Sequence, residues 1–385
     1  MRAGIALPIL AVALLTACGS SDEPAATKPA TPGALISKRP LEQLDPALSA
    51  AAGSSTYIRY ESTSPAGKPI EVSGAVFLPP GDAPAGGWPV VAFAHGTSGV
   101  VNKCAPTNSP TLFGSAPAVE QFLAGHRAVV MTNYQGLDGP GDAPYLDTPS
   151  SGYDVLNSVR AAHSTGLPLS TDMVLVGASQ GGRAAESAAE TAKSYAPELK
   201  IHGVVLLSPA LELRFLDAVR NRELNAPDQY LVLPYLVAAV RYNEPGYRYD
   251  QVAHGKLLDI APQLESQCTG ETTPDELAIA SAGTPDEVSY VDDAAAQPFA
   301  DLQSRTNLPK SATTLHTYIV RGDADKLVDT AWSSAAITEM CTLGTPVHDL
   351  VVPGGHDAPA AVADQWLGWT SDLFADKPFA PTCPH

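Results

Sequence analysis

The stretch from Gly177 to Gly181, which reads Gly-Ala-Ser-Gln-Gly, constrains the fold of this chain more than any other segment. It directly follows an apolar run, Met173 to Val176, and precedes a helical stretch of small residues, Gly182 to Ala196. A Gly-x-Ser-x-Gly pattern between a strand and a helix is typical of a nucleophile elbow, where the serine projects above the sheet edge. Because that turn leaves no space for larger flanking side chains, the glycines are part of the signal. The pattern predicts Ser179 as a nucleophile.

The N-terminal residues have the pattern of an export signal. A positively charged start is followed by an apolar run, Gly4 to Leu15, which is too short to span a membrane comfortably. Leu15 to Cys18 reads Leu-Thr-Ala-Cys and resembles a bacterial lipobox, with an ordinary secretory signal as the alternative. We therefore expect a signal peptide over 1–17, lipidation of Cys18 and a flexible tether over 18–45. The mature protein would then lie in the bacterial cell envelope, on its periplasmic or extracellular face.

Cysteine count and net charge limit the partners of the chain. Without Cys18, four cysteines remain, and an even number in an exported protein indicates two disulfides with three possible connectivities. No cysteine or histidine spacing suggests zinc, so we expect neither a metal nor another cofactor. The formal net charge of −18 argues against nucleic acid or an anionic membrane surface as the main partner. The four cysteines are Cys104, Cys268, Cys341 and Cys383.

Apolar runs alternate with helical segments from Tyr57 onward. Two early runs with alternating polarity, Tyr57 to Ser62 and Val72 to Leu78, predict an antiparallel start. Continuous apolar runs then predict strands buried on both faces. This alternation predicts an α/β fold with a mainly parallel central sheet and helices on both faces. The later predicted strands are Val90 to Ala94, Ala128 to Met131, Met173 to Val176, Val204 to Leu207, Thr317 to Val320 and Leu350 to Val352.

One segment, 210–304, breaks this alternation. It contains helical stretches with scattered proline and glycine, and it lies between a central strand and the two late strands. We expect it to form an inserted helical cap, or lid, over the carboxyl ends of the strands, where ligands bind in open α/β sheets. The α/β core would then comprise 46–209 and 305–385. Four apolar cap residues either line an acyl pocket or pack the cap's own core: Leu231, Leu233, Tyr235 and Leu236.

A serine hydroxyl needs a general base, which in turn needs an orienting acid. In α/β-hydrolases the chain order is serine, acid, histidine. His356 is the preferred base because it follows the flexible Pro353-Gly354-Gly355 turn after the last predicted strand. His348 would be held in or near that strand, and His385 is the terminal residue.

The predicted acid is Asp325, which follows the strand Thr317 to Val320. Asp323 is the alternative, although it could instead cap backbone N–H groups of the loop. Asp357 is adjacent to the histidine and would struggle to reach the far ring nitrogen.

The oxyanion of the reaction must meet preorganised donors. One predicted donor is the backbone N–H of Gln180, and the second comes from Gly96 or Thr97 in the loop after Val90 to Ala94. His95 precedes the acid in sequence, so we expect a structural or loop-positioning role for it.

These residues, taken together, resemble the secretory lipase family of α/β-hydrolases, the yeast lipase A-like group. The resemblance runs from about Tyr57 to Cys383. Beyond the elbow and the acid and histidine loops, it is carried by His95 to Thr97, Asn102 to Pro106, Asn133 to Leu137 and Tyr153 to Leu156.

The resemblance implies that a helical lid supplies acyl binding and that the reaction is hydrolysis of carboxylic esters. It also implies the disulfides Cys104–Cys268 and Cys341–Cys383. The sequence therefore predicts a monomeric serine carboxylesterase or lipase acting on a small-molecule or lipid ester. Two alternatives stay open at this point: a peptidase or amidase on the same fold, and a non-catalytic ligand-binding lipoprotein.

Overall fold

The computed structural model describes residues 1, 31–270 and 273–383, so the predicted signal peptide and Cys18 lie outside the described residues. Within these described residues, nine strands form one sheet. In chain order they are β1 Leu35–Pro40, β2 Ser54–Thr63, β3 Pro69–Leu78, β4 Trp88–Ala94, β5 Ala128–Thr132, β6 Leu169–Ala178, β7 Lys200–Leu207, β8 His316–Gly322 and β9 Val347–Val352.

The spatial order of the strands is β1-β2-β3-β5-β4-β6-β7-β8-β9. Strands β1, β2, β3 and β5 pair antiparallel, and every pair from β5 through β4 to β9 is parallel. The continuous apolar runs lie in the parallel part, and all five residues of β5 are buried. The predicted α/β fold with a mainly parallel sheet is therefore confirmed.

Eleven α-helices occur in the described residues. On one face of the sheet, α3, α4 and α10 contribute to an apolar cluster with alternate strand residues such as Val90 and Ala92. On the other face, α1, α2 and α11 pack with the intervening residues such as Val91 and Phe93. The helices are α1 Pro46–Ala51, α2 Ala116–Ala124, α3 Thr148–His163, α4 Gln180–Tyr195, α5 Phe215–Arg220, α6 Pro227–Asn243, α7 Gly255–Ser266, α8 Thr273–Ala280, α9 Asp293–Thr306, α10 Thr330–Leu343 and α11 Ala363–Phe374.

The chain between β7 and β8 is helical and contains α5 to α9. These helices share a third apolar cluster, to which α6 contributes the largest set of residues. The insertion therefore follows the strand next to β6, and it leaves the sheet at the edge where the carboxyl ends of the parallel strands meet.

Strand β1 differs from the predicted tether over 18–45. Residues Leu35–Pro40 pair antiparallel with β2, although five of the six are exposed. The segment has no alternation of apolar side chains, so only pairing with its neighbour reveals it as a strand. Charged residues and a proline are common on such edge strands because they discourage further pairing. Among the described residues, no helix is both long and apolar enough to cross a membrane.

Candidate active site

Ser179 lies in a strained turn between the end of β6 and the first residue of α4. Its backbone has φ 54° and ψ −116°, a conformation that residues other than glycine rarely adopt. The neighbouring glycines are required because no side chain larger than hydrogen fits at their positions. A Cβ on Gly181 would lie 1.9 Å from the carbonyl oxygen of Ala94, and one on Gly177 would lie 2.1 Å from the carbonyl oxygen of Gly181. The turn has the geometry of a nucleophile elbow.

His356 and Asp325 meet beyond the carboxyl ends of β9 and β8. Nδ1 of His356 lies 2.7 Å from Oδ2 of Asp325, and the aspartate side chain is 4% exposed. The other carboxylate oxygen accepts hydrogen bonds from the backbone N–H groups of Leu327 (2.9 Å) and Val328 (3.0 Å). These bonds fix the carboxylate, and the carboxylate in turn orients the imidazole with Nε2 available for proton transfer.

The alternative acids and bases have other partners. Oδ1 of Asp323 accepts a hydrogen bond from the backbone N–H of Gly354 at 2.9 Å, so this side chain ties the β8 loop to the loop that carries His356. His348 lies within β9, with Nδ1 2.7 Å from the carbonyl oxygen of Ala380. His385 lies outside the described residues.

The predicted oxyanion donors surround Ser179. The backbone N–H of Gln180 opens α4, where unpaired N–H groups give a helix end its partial positive charge. Gly96 lies in the loop after β4, and a Cβ placed on it would lie 3.9 Å from Cβ of Ser179. Thr97 follows in the same loop, and its Oγ1 lies 2.8 Å from the hydroxyl of Tyr145.

The buried side chain of His95 binds the backbone of this loop. The residue is 1% exposed, and its Nδ1 lies 2.6 Å from the carbonyl oxygen of Gly96, so Nδ1 is the protonated nitrogen. Burial lowers the pKa of His95 to about 4, which keeps the ring neutral at pH 7. The Gly96–Thr97 peptide is trans, so the Thr97 N–H points away from the carbonyl that His95 binds.

A cavity of about 550 Å³ opens at Ser179, a size typical of small-molecule sites. Its walls are mostly apolar. They come from the elbow, from the loop after β4 that contains Gly96 and Thr97 (the candidate oxyanion loop), from the loops after β8 and β9, and from the helical insertion. Asp325 is not in the lining and acts on the cavity only through His356. The predicted catalytic and oxyanion residues that border the cavity are Gly96, Thr97, Ser179, Gln180 and His356.

Helix α6 supplies one wall of the cavity. Three of the four predicted acyl-pocket residues, Leu231, Tyr235 and Leu236, line it. The fourth, Leu233, does not: it is 1% exposed and packs in the apolar cluster of the insertion. Leu233 is two positions after Leu231, which turns its side chain by about 200° around the helix axis. Its assignment to the acyl pocket is therefore not supported.

Several lining residues carry no motif, and our sequence reasoning did not find them. Tyr145 lies in the loop before α3 and packs edge-to-face on Tyr235, with ring centroids 5.9 Å apart. It thus connects the oxyanion loop to the insertion, because its hydroxyl also meets Thr97. The helical period of α6 is the signal that could have added Asp228 and Val232 to the predicted face. Other lining residues missed from the sequence are Leu146, Ala210, Leu213, Phe215, Thr269, Thr273, Leu277, Leu327 and Val328.

Both disulfides implied by the family resemblance are present. Cys104 is bonded to Cys268 with a Cα–Cα distance of 5.1 Å, and Cys341 to Cys383 with 5.5 Å. The first bond joins the segment after the oxyanion loop to the chain just after α7. The next residue, Thr269, donates its N–H to the carbonyl oxygen of Ser98 at 3.0 Å. The insertion is therefore attached covalently and by a backbone bond next to the oxyanion loop.

The described side chains offer no group of three or more His, Cys, Asp or Glu that could hold a metal ion.

The parallel sheet, the elbow after β6 and the helical insertion after β7 define an α/β-hydrolase. The chain belongs to the secretory lipase family, whose family model, described as Secretory lipase, matches residues 116–381. That match includes Ser179, Asp325 and His356, while the oxyanion loop precedes it.

Individual relatives cover most of the chain. A protein of Mycobacterium tuberculosis named as a probable inactive lipase is 29% identical over 379 residues, which is 92% of this chain and 81% of the relative. Lipase A of Candida antarctica in its closed state superposes with a TM-score of 0.71 at 17% identity, over 91% of this chain and 84% of that one. The rice cell wall degrading esterase LipA of Xanthomonas oryzae superposes with a TM-score of 0.66 at 20% identity, over 90% of this chain and 97% of that one. The structures show a shared fold, and the family places the chain among lipase and esterase hydrolases.

Proposed function

We propose that this chain is an active serine carboxylesterase or lipase that hydrolyses carboxylic esters through an acyl-enzyme intermediate. The observation that carries the proposal is a single arrangement at one sheet edge. Ser179 in its elbow and the Asp325-bound His356 border the same apolar cavity. Such a cavity accommodates an acyl chain, whereas a binding protein would have no need of the strained elbow or of the oriented imidazole.

Each residue has one role in the proposed reaction. Ser179 Oγ attacks the ester carbonyl while Nε2 of His356 takes its proton, and Asp325 stabilises the imidazolium. The oxyanion lies between the N–H groups of Gln180 and Thr97, since His95 binds the carbonyl on the other side of the Gly96–Thr97 peptide.

His356 then gives its proton to the leaving alcohol, and a water molecule repeats the cycle to release the acid. The hydrogen bonds among the described residues do not include one from Ser179 Oγ to His356. Catalytic hydrogen bonds of this kind often tighten only when substrate is bound.

The name of the mycobacterial relative makes activity the point to test. All three residues needed for the chemistry are present in this chain, and the histidine–aspartate bond is formed. We therefore expect the chain to be active, whatever the state of that relative.

The test is hydrolysis of p-nitrophenyl butyrate and p-nitrophenyl palmitate by the wild type and by Ser179→Ala. The proposal predicts that the variant loses activity by at least about 10³-fold, and the ratio of the two substrates separates esterase from lipase. Equal and negligible turnover by both proteins would remove the proposal and turn attention to aminoacyl substrates.

We also propose that the protein is a monomeric lipoprotein of the bacterial cell envelope, anchored through Cys18. Family membership and the two disulfides support export. Mass spectrometry of the N-terminal peptide from an envelope fraction tests the anchor: diacylglyceryl modification of Cys18 is expected, and an unmodified peptide cleaved elsewhere would contradict it. Light scattering of the soluble domain tests the monomer.

A further inference from the structure

One carboxylate in the cavity has no role in the proposed mechanism. Asp228 lies in the first turn of α6, is half-buried and borders the cavity together with His356. Its side chain forms no hydrogen bond or ion pair with any described residue. Asp357 also borders the cavity, and neither lysine nor arginine is among the described residues that line it. The wall beside the catalytic histidine is therefore acidic and is not neutralised by a protein cation.

The surroundings of Asp228 are electrostatically unfavourable for its charge. Burial raises the pKa of Asp228, and the carboxylates of Asp325 and Asp357 raise it further, while His356 acts in the opposite direction. A positive group in the cavity would relieve this repulsion, whereas an anionic group would add to it.

Aromatic side chains also line the cavity, namely those of Tyr145, Phe215 and Tyr235. Aromatic walls combined with a carboxylate suit organic cations.

We propose that Asp228 forms a subsite for a cationic group in the alcohol half of the substrate. The inference rests on the proposed function, because His356 protonates the leaving alcohol and the alcohol must therefore lie beside it. The acyl half then occupies the apolar part of the cavity along Leu231 and Leu236. The expected substrates are esters of alcohols that carry an amino or quaternary ammonium group. Esters of alcohols that carry a negatively charged group are expected to be poor substrates.

A purely structural role makes a different prediction. An acidic residue in the first turn stabilises a helix through its dipole, and Asp228 has that position. If that were its only role, replacement would lower stability without changing which esters are preferred.

The test compares butyrylcholine with its uncharged isostere, 3,3-dimethylbutyl butyrate. We expect the ratio of the kcat/KM value for butyrylcholine to that for the neutral ester to fall by about tenfold in Asp228→Asn, since one charge pair is removed. Asp228→Glu should keep the preference. Asp275→Asn is the matched control because Asp275 is an exposed acid in the first turn of α8 and does not border the cavity. An unchanged ratio in Asp228→Asn would overturn the proposal.

Binding separates failure of the subsite from failure of the proposed function. Isothermal titration of both esters into Ser179→Ala, with and without Asp228→Asn, requires no turnover. The subsite predicts tighter binding of the choline ester only where Asp228 is present. If the wild type hydrolysed neither these two esters nor the p-nitrophenyl esters, the proposed function would fail, while equal binding of the two esters to Ser179→Ala would reject the subsite alone.

Discussion

The backbone of Ser179 shows how neighbouring residues maintain an unfavourable conformation. Its N–H donates to the carbonyl oxygen of Leu207 at 2.9 Å, and its own carbonyl oxygen accepts the N–H of Ala210 at 3.0 Å. Both partners belong to the chain at the end of β7, so the elbow is fixed by the strand beside it as well as by its own glycines. Strain of this kind persists only where surrounding structure over-determines the conformation.

Replacing the orienting acid gives a prediction for one residue. In Asp325→Asn the side chain can no longer bind His356 as a carboxylate, so the imidazole loses its correct tautomer and the stabilisation of its cation. We expect kcat for p-nitrophenyl butyrate to fall by about 10³- to 10⁴-fold at unchanged fold. Asp323→Asn is the control, because the Asp323 side chain accepts a hydrogen bond from the backbone N–H of Gly354 and not from His356, and its effect should be far smaller. A larger loss of kcat in Asp323→Asn than in Asp325→Asn would assign the role of the acid to Asp323 instead.

A buried glutamate outside the site gives a prediction about pH. Glu186 on α4 is fully buried and neither carboxylate oxygen has a partner among the described residues. Burial, with a smaller contribution from Glu190, raises the pKa of Glu186 to about 8. Between its ordinary value near 4.3 and about 8, the folded state binds more protons than the unfolded state, so stability falls as pH rises through this window.

Glu186→Gln should therefore stabilise the protein more at pH 8 than at pH 5. We expect the free energy of unfolding of the variant, relative to wild type, to rise by on the order of 1–3 kcal/mol between these pH values. Urea unfolding at both pH values measures it. Glu339→Gln, at an exposed position on α10, serves as the control and should show no such trend. A difference that does not depend on pH would contradict the assignment.

The strands and helices show where sequence patterns are sufficient to predict an element and where they are not. Strands β4 to β7 were predictable because residues such as Val90 to Ala94 are buried on both faces and are continuously apolar. Strand β1 was not, since its mostly polar residues lie at a sheet edge and are ordered by pairing with β2. Helix α6 itself was predictable, but the assignment of Leu233 to the cavity was not supported. Because α6 has no marked polar side, its sequence does not show which apolar residues face the cavity and which face the rest of the insertion.

The two ends of the helical insertion are held by one side chain of α4. Nε of Arg183 donates to the carbonyl oxygen of Ala210, and Nη1 donates to that of Thr306 at 2.7 Å. These carbonyls lie just before α5 and at the last residue of α9, so the guanidinium connects both ends of the insertion to the helix that begins at the elbow. Asn307 adds to this connection, since its side-chain oxygen accepts the N–H of Leu213 at 3.1 Å.

Removing this connection should loosen the insertion while the sheet persists. In Arg183→Met both carbonyls lose their donor, and we expect faster hydrogen exchange in segments 208–213 and 304–311 and a Tm lower by several degrees. The kcat/KM for esters should also fall, because α6 forms a cavity wall. Hydrogen exchange followed by mass spectrometry measures the change. Hydrogen exchange that became faster uniformly across the sheet, rather than mainly at the two ends of the insertion, would contradict this role.

At the scale of the molecule, residues from Thr31 onward form one compact unit that contains the sheet, both helical layers and the insertion. A protein that begins at Thr31 should therefore fold and keep the Tm and esterase activity of the chain with residues 1–30. Differential scanning calorimetry of the two proteins checks this. Loss of cooperative unfolding on truncation would show that the first thirty residues contribute to the fold.

Chain order and topology together explain why part of the site was predictable. Parallel strands bring their carboxyl ends to one edge, so Ser179, Asp325 and His356, each following a strand, could be selected from sequence. Tyr145 and Phe215 could not, because they reach the cavity only through the packing of loops and cap helices on that edge. The candidate catalytic groups thus follow from local patterns, whereas the lining of the cavity depends on tertiary packing.

Covalent labelling of Ser179 tests the central claim most directly. A fluorophosphonate reacts with a serine only when the base and oxyanion donors activate it, and it requires no knowledge of the natural ester. Incubation of the soluble domain with such a probe, followed by intact mass and peptide mapping, should give one adduct per chain on Ser179, and the adduct should be absent in His356→Ala. A folded wild-type protein that remains unlabelled, or that is labelled equally with His356 removed, would contradict an activated serine and with it the proposed enzyme.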